Sequence, residues 1–188
     1  MPVIISMLRG VNLVGYNRIK MDALRALYES LKLEDARTHI QSGNVIFRTR
    51  VSINEKNSAA LAKKIQNAIE GKFGFRPEVI LRTPDEMRAA IAASPFSRRD
   101  LHPSKVLVTF LAAEPGPEAR DTLANLRDYP EELHLKGREL YIYFPNGAGQ
   151  SKLPWSKVEK LTKVTGTARN WNSVTKMLAI AEEMEAAE

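Results

Sequence analysis

The stretch Ala36-Arg37-Thr38-His39-Ile40-Gln41-Ser42-Gly43-Asn44-Val45-Ile46-Phe47-Arg48 decides the fold. Residues 36–40 and 45–48 read as two strands, and Ser42-Gly43 sits where a turn must join them, because glycine reaches positive φ without a Cβ clash. Upstream, Met21, Leu24, Leu27, Tyr28 and Leu31 recur at helical spacing, and residues 3–8 form an apolar run of strand length. Downstream, Leu61, Ile65, Ala68, Ile69 and Phe73 mark a second amphipathic helix, and Pro77 precedes a strand at residues 78–82. Strand, helix, strand, strand, helix, strand is the split βαβ order of a ferredoxin-like unit.

Beyond residue 82 the order repeats. Thr83-Pro84-Asp85-Glu86 combines a Thr N-cap, Pro at the first helical position and Glu where a capping box needs it. Residues 95–103 read as an irregular, Pro-containing joint. Strands follow at 106–111, 133–136 and 139–144, with a helix at 118–127 and Gly137 at the turn between the last two strands. A Gly-rich loop at 145–154 leads to a short helix near 155–161. The last helix opens at Arg169-Asn170-Trp171-Asn172-Ser173 and buries Val174, Met177, Leu178 and Ala181. The expected fold is α+β, two ferredoxin-like halves packed together. Residues 1–82 form a basic first half, 83–103 a helix and connection, and 104–188 a second half plus C-terminal helices. One larger mixed sheet is the alternative.

Cysteine is absent, which excludes disulfides, thiolate metal ligands and a cysteine nucleophile. No apolar run approaches 18 residues and no signal peptide is legible, so no membrane partner and a cytoplasmic location are expected. Net charge is +6. Residues 1–94 carry 15 Lys+Arg against 9 Asp+Glu, and residues 95–188 carry 13 of each. A basic first half favours polyanionic or phosphorylated partners, although a merely solubilising surface has the same composition. His39, His102 and His134 are isolated, Ser42 lacks a G-x-S-x-G elbow, and the carboxylates show no pairing. No metal and no cofactor are expected.

Two polar segments interrupt the apolar runs, Leu8-Arg9-Gly10-Val11-Asn12 and Ile40-Gln41-Ser42-Gly43-Asn44. A right-handed crossover makes the first two strands parallel, so both segments fall at one sheet edge. Arg9, Gly10, Asn12, Gln41, Ser42, Gly43 and Asn44 are therefore candidate ligand contacts. The first helix begins at that edge, where its free N–H groups favour an anion, and Arg18 and Lys20 add charge. The competing reading is a mesh in which the amides satisfy turn backbone. The strand Gly43-Asn44-Val45-Ile46-Phe47 bears a faint likeness to an RNA-recognition strand, but it has one aromatic and the first strand has none, so no base-stacking platform is expected there. Tyr141 and Tyr143 alternate onto one strand face, as bases would need and as ordinary strands also show. Asn146-Gly147-Ala148-Gly149-Gln150-Ser151-Lys152 fails the Walker spacing and reads as a connector, with Lys152 as a candidate anion contact. Asn170 is a natural N-cap and Trp171 an anchor into the core.

The two polar segments and Arg169-Asn170-Trp171-Asn172-Ser173 resemble the family known as domain of unknown function 1697, whose members are bacterial-type cytoplasmic proteins. The resemblance extends over nearly the whole chain and includes a glycine and Ser-Lys loop. It carries Lys152, Arg169 and Asn172 over as candidate site residues, with Arg169 facing a ligand or pairing between the halves. It implies no particular activity. The function expected from the residues is a non-enzymatic binding module for a phosphate-bearing ligand, either nucleic acid or nucleotide. An enzyme acting on a small anionic substrate in a groove between the halves is one alternative, and a protein–protein adaptor another.

Overall fold

The computed structural model describes residues 1–187. The chain divides into two compact units, Met1–Arg88 together with the segment from Lys176 onward, and Ala89–Thr175. The first unit contains β1 (Val3–Leu8), α1 (Met21–Ser30), β2 (Glu34–His39), β3 (Asn44–Arg48), α2 (Glu55–Phe73), β4 (Val79–Arg82) and the start of α3 (Pro84–Ala92). The second contains β5 (Val106–Leu111), α4 (Pro117–Ala124), β6 (Glu132–Lys136), β7 (Glu139–Tyr143), α5 (Trp155–Thr162), β8 (Gly166–Asn170) and the start of α6 (Trp171–Ala186). The sheet orders are β2-β3-β1-β4 and β6-β7-β5-β8, with every neighbouring pair antiparallel. Each is a ferredoxin-like sheet, so the chain is α+β with two such halves and not one larger sheet.

In the first unit Ile4, Leu8, Val45, Phe47, Val79 and Leu81 turn one sheet face toward Leu24, Leu27 and Tyr28 of α1 and Leu61, Ile65 and Ile69 of α2. A polar group on this face is satisfied locally. The Tyr28 hydroxyl and Ser6 Oγ lie 2.8 Å apart, and the Tyr28 ring meets Phe47 edge-on at 5.4 Å. Burial pushes the Tyr28 phenol well above its ordinary pKa. The other face, with Ile5, Met7, Ile46 and Ile80, is buried as well. Arg48 shares that face and donates to the Met184 carbonyl, which brings the end of α6 against the sheet. Burial on both faces is why β1 is apolar at every position but Ser6 instead of alternating. In the second unit Leu111, Leu135, Leu140 and Ile142 pack under α4 and α5 through Leu123 and Val158. On its other face the Tyr141 hydroxyl donates to the Ala90 carbonyl at 2.5 Å.

The helix starts follow their sequence signals. Thr83 Oγ1 accepts from Glu86 N at 3.1 Å while Glu86 Oε2 accepts from Thr83 N at 2.8 Å, a complete capping box. Asn170 Oδ1 accepts from Ser173 N at 2.8 Å and caps α6. Arg88 binds Asp85 at 2.6 Å, Glu182 at 2.9 Å and Glu185 at 2.5 Å, joining α3 to the last turns of α6 within the first unit.

Three expectations need correction. The joint expected at 95–103 is not where the units divide; the divisions fall inside α3 and α6, and the segment from Lys176 onward groups with the first unit, not with residues 104–188. Its apolar side chains Met177, Ala181 and Met184 are completely buried. The strand repeat could not reveal this return of the chain. It also redistributes charge. Residues 1–88 have 15 Lys+Arg against 9 Asp+Glu, and the returning segment adds one lysine and four glutamates, leaving +3. Residues 89–175 have 12 against 9, also +3. The charge asymmetry is thus a property of the linear sequence, and the two folded units carry equal net charge. Finally, residues 166–170 form β8 beside β5, with Leu111 opposite Gly166 and Leu107 opposite Asn170. Gly166 permits that approach, since a Cβ there would lie 2.9 Å from the Phe110 carbonyl oxygen. Among the described residues no helix is long and apolar enough to cross a membrane.

Candidate functional site

The end of β1 and the β2–β3 turn share one sheet edge. Met7 stands opposite Asn44, and Leu8 N donates to the Gly43 carbonyl at 2.9 Å. Gly43 has φ +77°, and a Cβ there would come within 2.8 Å of Leu8 Cβ, so the turn closes onto β1 only with glycine. The segment between β1 and α1 then folds over this edge. Its base is stitched by two asparagines with positive φ, Asn12 and Asn17. Asn12 N donates to the Asn17 carbonyl at 2.9 Å. Asn12 Nδ2 donates to the carbonyls of Ile19 at 3.0 Å and Gln41 at 2.7 Å, and its Oδ1 accepts from Ile19 N at 2.8 Å. Asn17 Nδ2 donates to the Gly10 carbonyl at 2.9 Å.

Under this loop lies an open groove of ≈ 870 Å³, lined by Asn12, Leu13, Val14, Arg18, Ile19, Lys20, Met21, Asp22 and Gln41. Arg18 and Lys20 are exposed and make no side-chain ion pair or hydrogen bond among the described residues. The one carboxylate of the lining, Asp22, pairs with Arg25. The N-terminus of α1 opens here without a side-chain cap from Lys20, so its first amides keep a free valence toward the groove.

Four of the sequence candidates therefore meet in the groove wall, Asn12, Arg18, Lys20 and Gln41. The others do different things. Asn44 is fully buried, and its Nδ2 donates to the His39 carbonyl at 3.1 Å and Ser42 Oγ at 2.9 Å, so it shapes the hairpin. Gly10, at φ +72°, and Gly43 supply the backbone turns. Arg9 is half-buried beside β4, its backbone N donating to the Glu78 carbonyl. Lys152, Arg169 and Asn172 belong to the second unit. Lys152 is exposed after a short 3₁₀ turn, and Asn172 is exposed in the first turn of α6. Arg169 does not stand free at a helix start. It lies in β8 at 7% exposure, donates to Thr167 Oγ1 at 2.7 Å and the Ala168 carbonyl at 2.9 Å, and burial pushes its guanidinium pKa down to about 10. Trp171 is half-buried and not a core residue.

Neither sheet presents a stacking platform. Phe47 is buried against Tyr28, Tyr141 is buried, and half-buried Tyr143 packs with Phe96 at 6.0 Å and under Arg99 at 5.2 Å. The sequence reading missed the loop tip. Leu13, Val14 and Tyr16 are exposed, Val14 at 97% and Tyr16 at 72%. The signal available was an apolar cluster, Leu13-Val14-Gly15-Tyr16, isolated between two asparagines. Among the described residues no three His, Asp or Glu side chains group so as to hold a metal ion.

Comparison with known proteins bears on the fold and the family. The model of a family described as a protein of unknown function (DUF1697) matches residues 1–141. That span contains the whole groove and ends before the Ser-Lys loop and Arg169. The conserved bacterial protein SP0830 from Streptococcus pneumoniae has a similar structure, at 21% identity and a TM-score of 0.68 over 96% of this chain and 98% of that one. No curated protein matches the chain. The chain belongs to the DUF1697 family of proteins of unknown function.

Proposed function

We propose that the protein is a binding module for a phosphate-bearing ligand, nucleic acid or nucleotide, held in the groove between the β1–α1 loop and α1. The observation that carries this reading is the pair of uncommitted cations, Arg18 and Lys20, on the wall of a recess whose one carboxylate is already neutralised by Arg25. Guanidinium and ammonium groups recognise phosphate oxygens as fork and point charge. The uncapped amides of Met21 and Asp22 add donors of the same polarity. Asn12 and Gly43 belong to the scaffold that holds the wall in place. The groove has no second carboxylate for acid–base work, so binding is favoured over catalysis.

Titration with inorganic tripolyphosphate and with a nucleoside triphosphate, at low and moderate salt, tests this reading. Binding is expected at low salt, weakening as salt rises. The double substitution Arg18→Gln and Lys20→Gln is expected to weaken it with no change in the unfolding midpoint. Absence of binding at low salt, or binding indifferent to the double substitution, removes the proposal.

A further inference from the structure

Resting on that reading, we infer that the ligand is a single-stranded nucleic acid, whose phosphates run past Arg18 and Lys20 while a base packs on the loop tip at Tyr16. The tip is the observation that phosphate binding leaves unexplained. Among the described residues Val14 and Tyr16 are the most exposed large apolar side chains, with Leu13 beside them. Ile40, next to groove residue Gln41, is also exposed. Water-facing apolar groups gathered beside a polar site mark a contact surface.

The tip is also held in shape. Tyr16 N donates to the Leu13 carbonyl at 3.1 Å, and Asn12 and Asn17 close the loop beneath it. An aromatic face presented on a fixed turn loses little freedom when a flat partner stacks on it. Cations beside an aromatic are the elements with which proteins hold single strands without reading sequence.

The competing polyanions fit less well. A duplex turns its phosphates outward and keeps its base faces stacked, so it offers Tyr16 nothing to cover. A free nucleotide could occupy only part of an open recess of ≈ 870 Å³. An anionic bilayer would accept the apolar tip, but a flat headgroup layer cannot follow the cations into a groove. Because Phe47 and Tyr141 are buried and Tyr143 is covered by Phe96 and Arg99, stacking is assigned to the loop and not to a strand platform.

Fluorescence anisotropy with a labelled oligothymidylate of about 16 nucleotides, the upper end of single-strand sites, provides the test. The competitors are the matching duplex, tripolyphosphate, and vesicles of phosphatidylcholine with one-quarter phosphatidylserine. The single strand is expected to bind more tightly than the duplex, with affinity falling as salt rises. Tyr16→Ala should weaken the single strand by about fivefold or more while leaving tripolyphosphate affinity unchanged. The double substitution of Arg18 and Lys20 should weaken both. If tripolyphosphate binds through Arg18 and Lys20 but Tyr16→Ala has no effect on the strand, or the duplex binds equally, the single-strand inference fails and the phosphate reading stands. If tripolyphosphate and oligonucleotide both fail to bind, the two fall together. Vesicle binding lost on Tyr16→Ala, without oligonucleotide binding, replaces the strand with a membrane surface.

Discussion

Asn12 and Arg18 sit a few residues apart on one wall, yet they do opposite work. Asn12 makes three side-chain hydrogen bonds to backbone and adopts φ 55°, a region that asparagine tolerates better than most residues. Asn12→Ala leaves the Ile19 amide and two carbonyls without that partner, and a loss of about 2 kcal/mol of stability is expected. Arg18→Gln should change stability by less than about 0.5 kcal/mol, as exposed positions without partners do. Chemical denaturation of the two variants checks the contrast, and equal losses would mean that Arg18 is part of the scaffold. The sequence made half of this legible. Turn chemistry announces itself through Asn and Gly, so Asn12, Gly43 and Asn44 could be singled out, although their own type did not say whether they face a ligand or the backbone. Exposure is not written in residue type at all. Val14 reads like any core valine, and its exposure is decided by a loop geometry that only the folded edge defines.

Local signals were strongest where one element closes on itself. The Thr83–Glu86 capping box and the Asn170 cap could be read because both partners lie within three residues. β8 could not, because Gly166-Thr167-Ala168-Arg169-Asn170 lacks the apolar alternation of a half-buried strand. Its place beside β5 is fixed by distant pairing, and it buries Thr167 and Arg169 where a strand usually buries aliphatic groups. The end of α6 was legible as a helix but not as to where it docks. Its clasp is Arg88, whose three carboxylate partners come from α3 and α6. Because Arg88 is solvent-accessible, its contribution should be local and screened by salt. Arg88→Ala is therefore expected to speed amide exchange in residues 182–186 with little change in the global unfolding midpoint, as hydrogen–deuterium exchange would read out. Unchanged exchange would place the hold on α6 in Met177, Ala181 and Met184 and in the Arg48 bond to the Met184 carbonyl.

For the molecule as a whole, the return of the chain from Lys176 onward into the first unit redistributes charge and adds to a pH response. Partial burial of His39 in β2, and after it the charge of Lys176, lower the histidine pKa. A histidine with a folded pKa below its unfolded value binds fewer protons when folded, so stability is lost as pH falls from the unfolded value near 6.5 through the folded one. His39→Gln should flatten the stability profile between about pH 7 and the acid side of that window. Lys176→Gln should flatten it less, because burial is the larger cause. Thermal unfolding across that range measures both, and superimposable profiles for wild type and His39→Gln would deny His39 the role.

The discontinuity of the first unit has a consequence for how the protein comes into being. Chains are synthesised from the N-terminus at about 5–20 residues per second. The strands and helices of Met1–Arg88 therefore leave the ribosome early, but the helical turns that carry Met177, Ala181 and Met184 follow only after the whole of Ala89–Thr175. Until then the sheet face bearing Ile5, Met7, Ile46 and Ile80 lacks the segment that Arg48 ties across it. The second unit, unbroken in sequence, is the one of the two able to finish first, although its synthesis starts second.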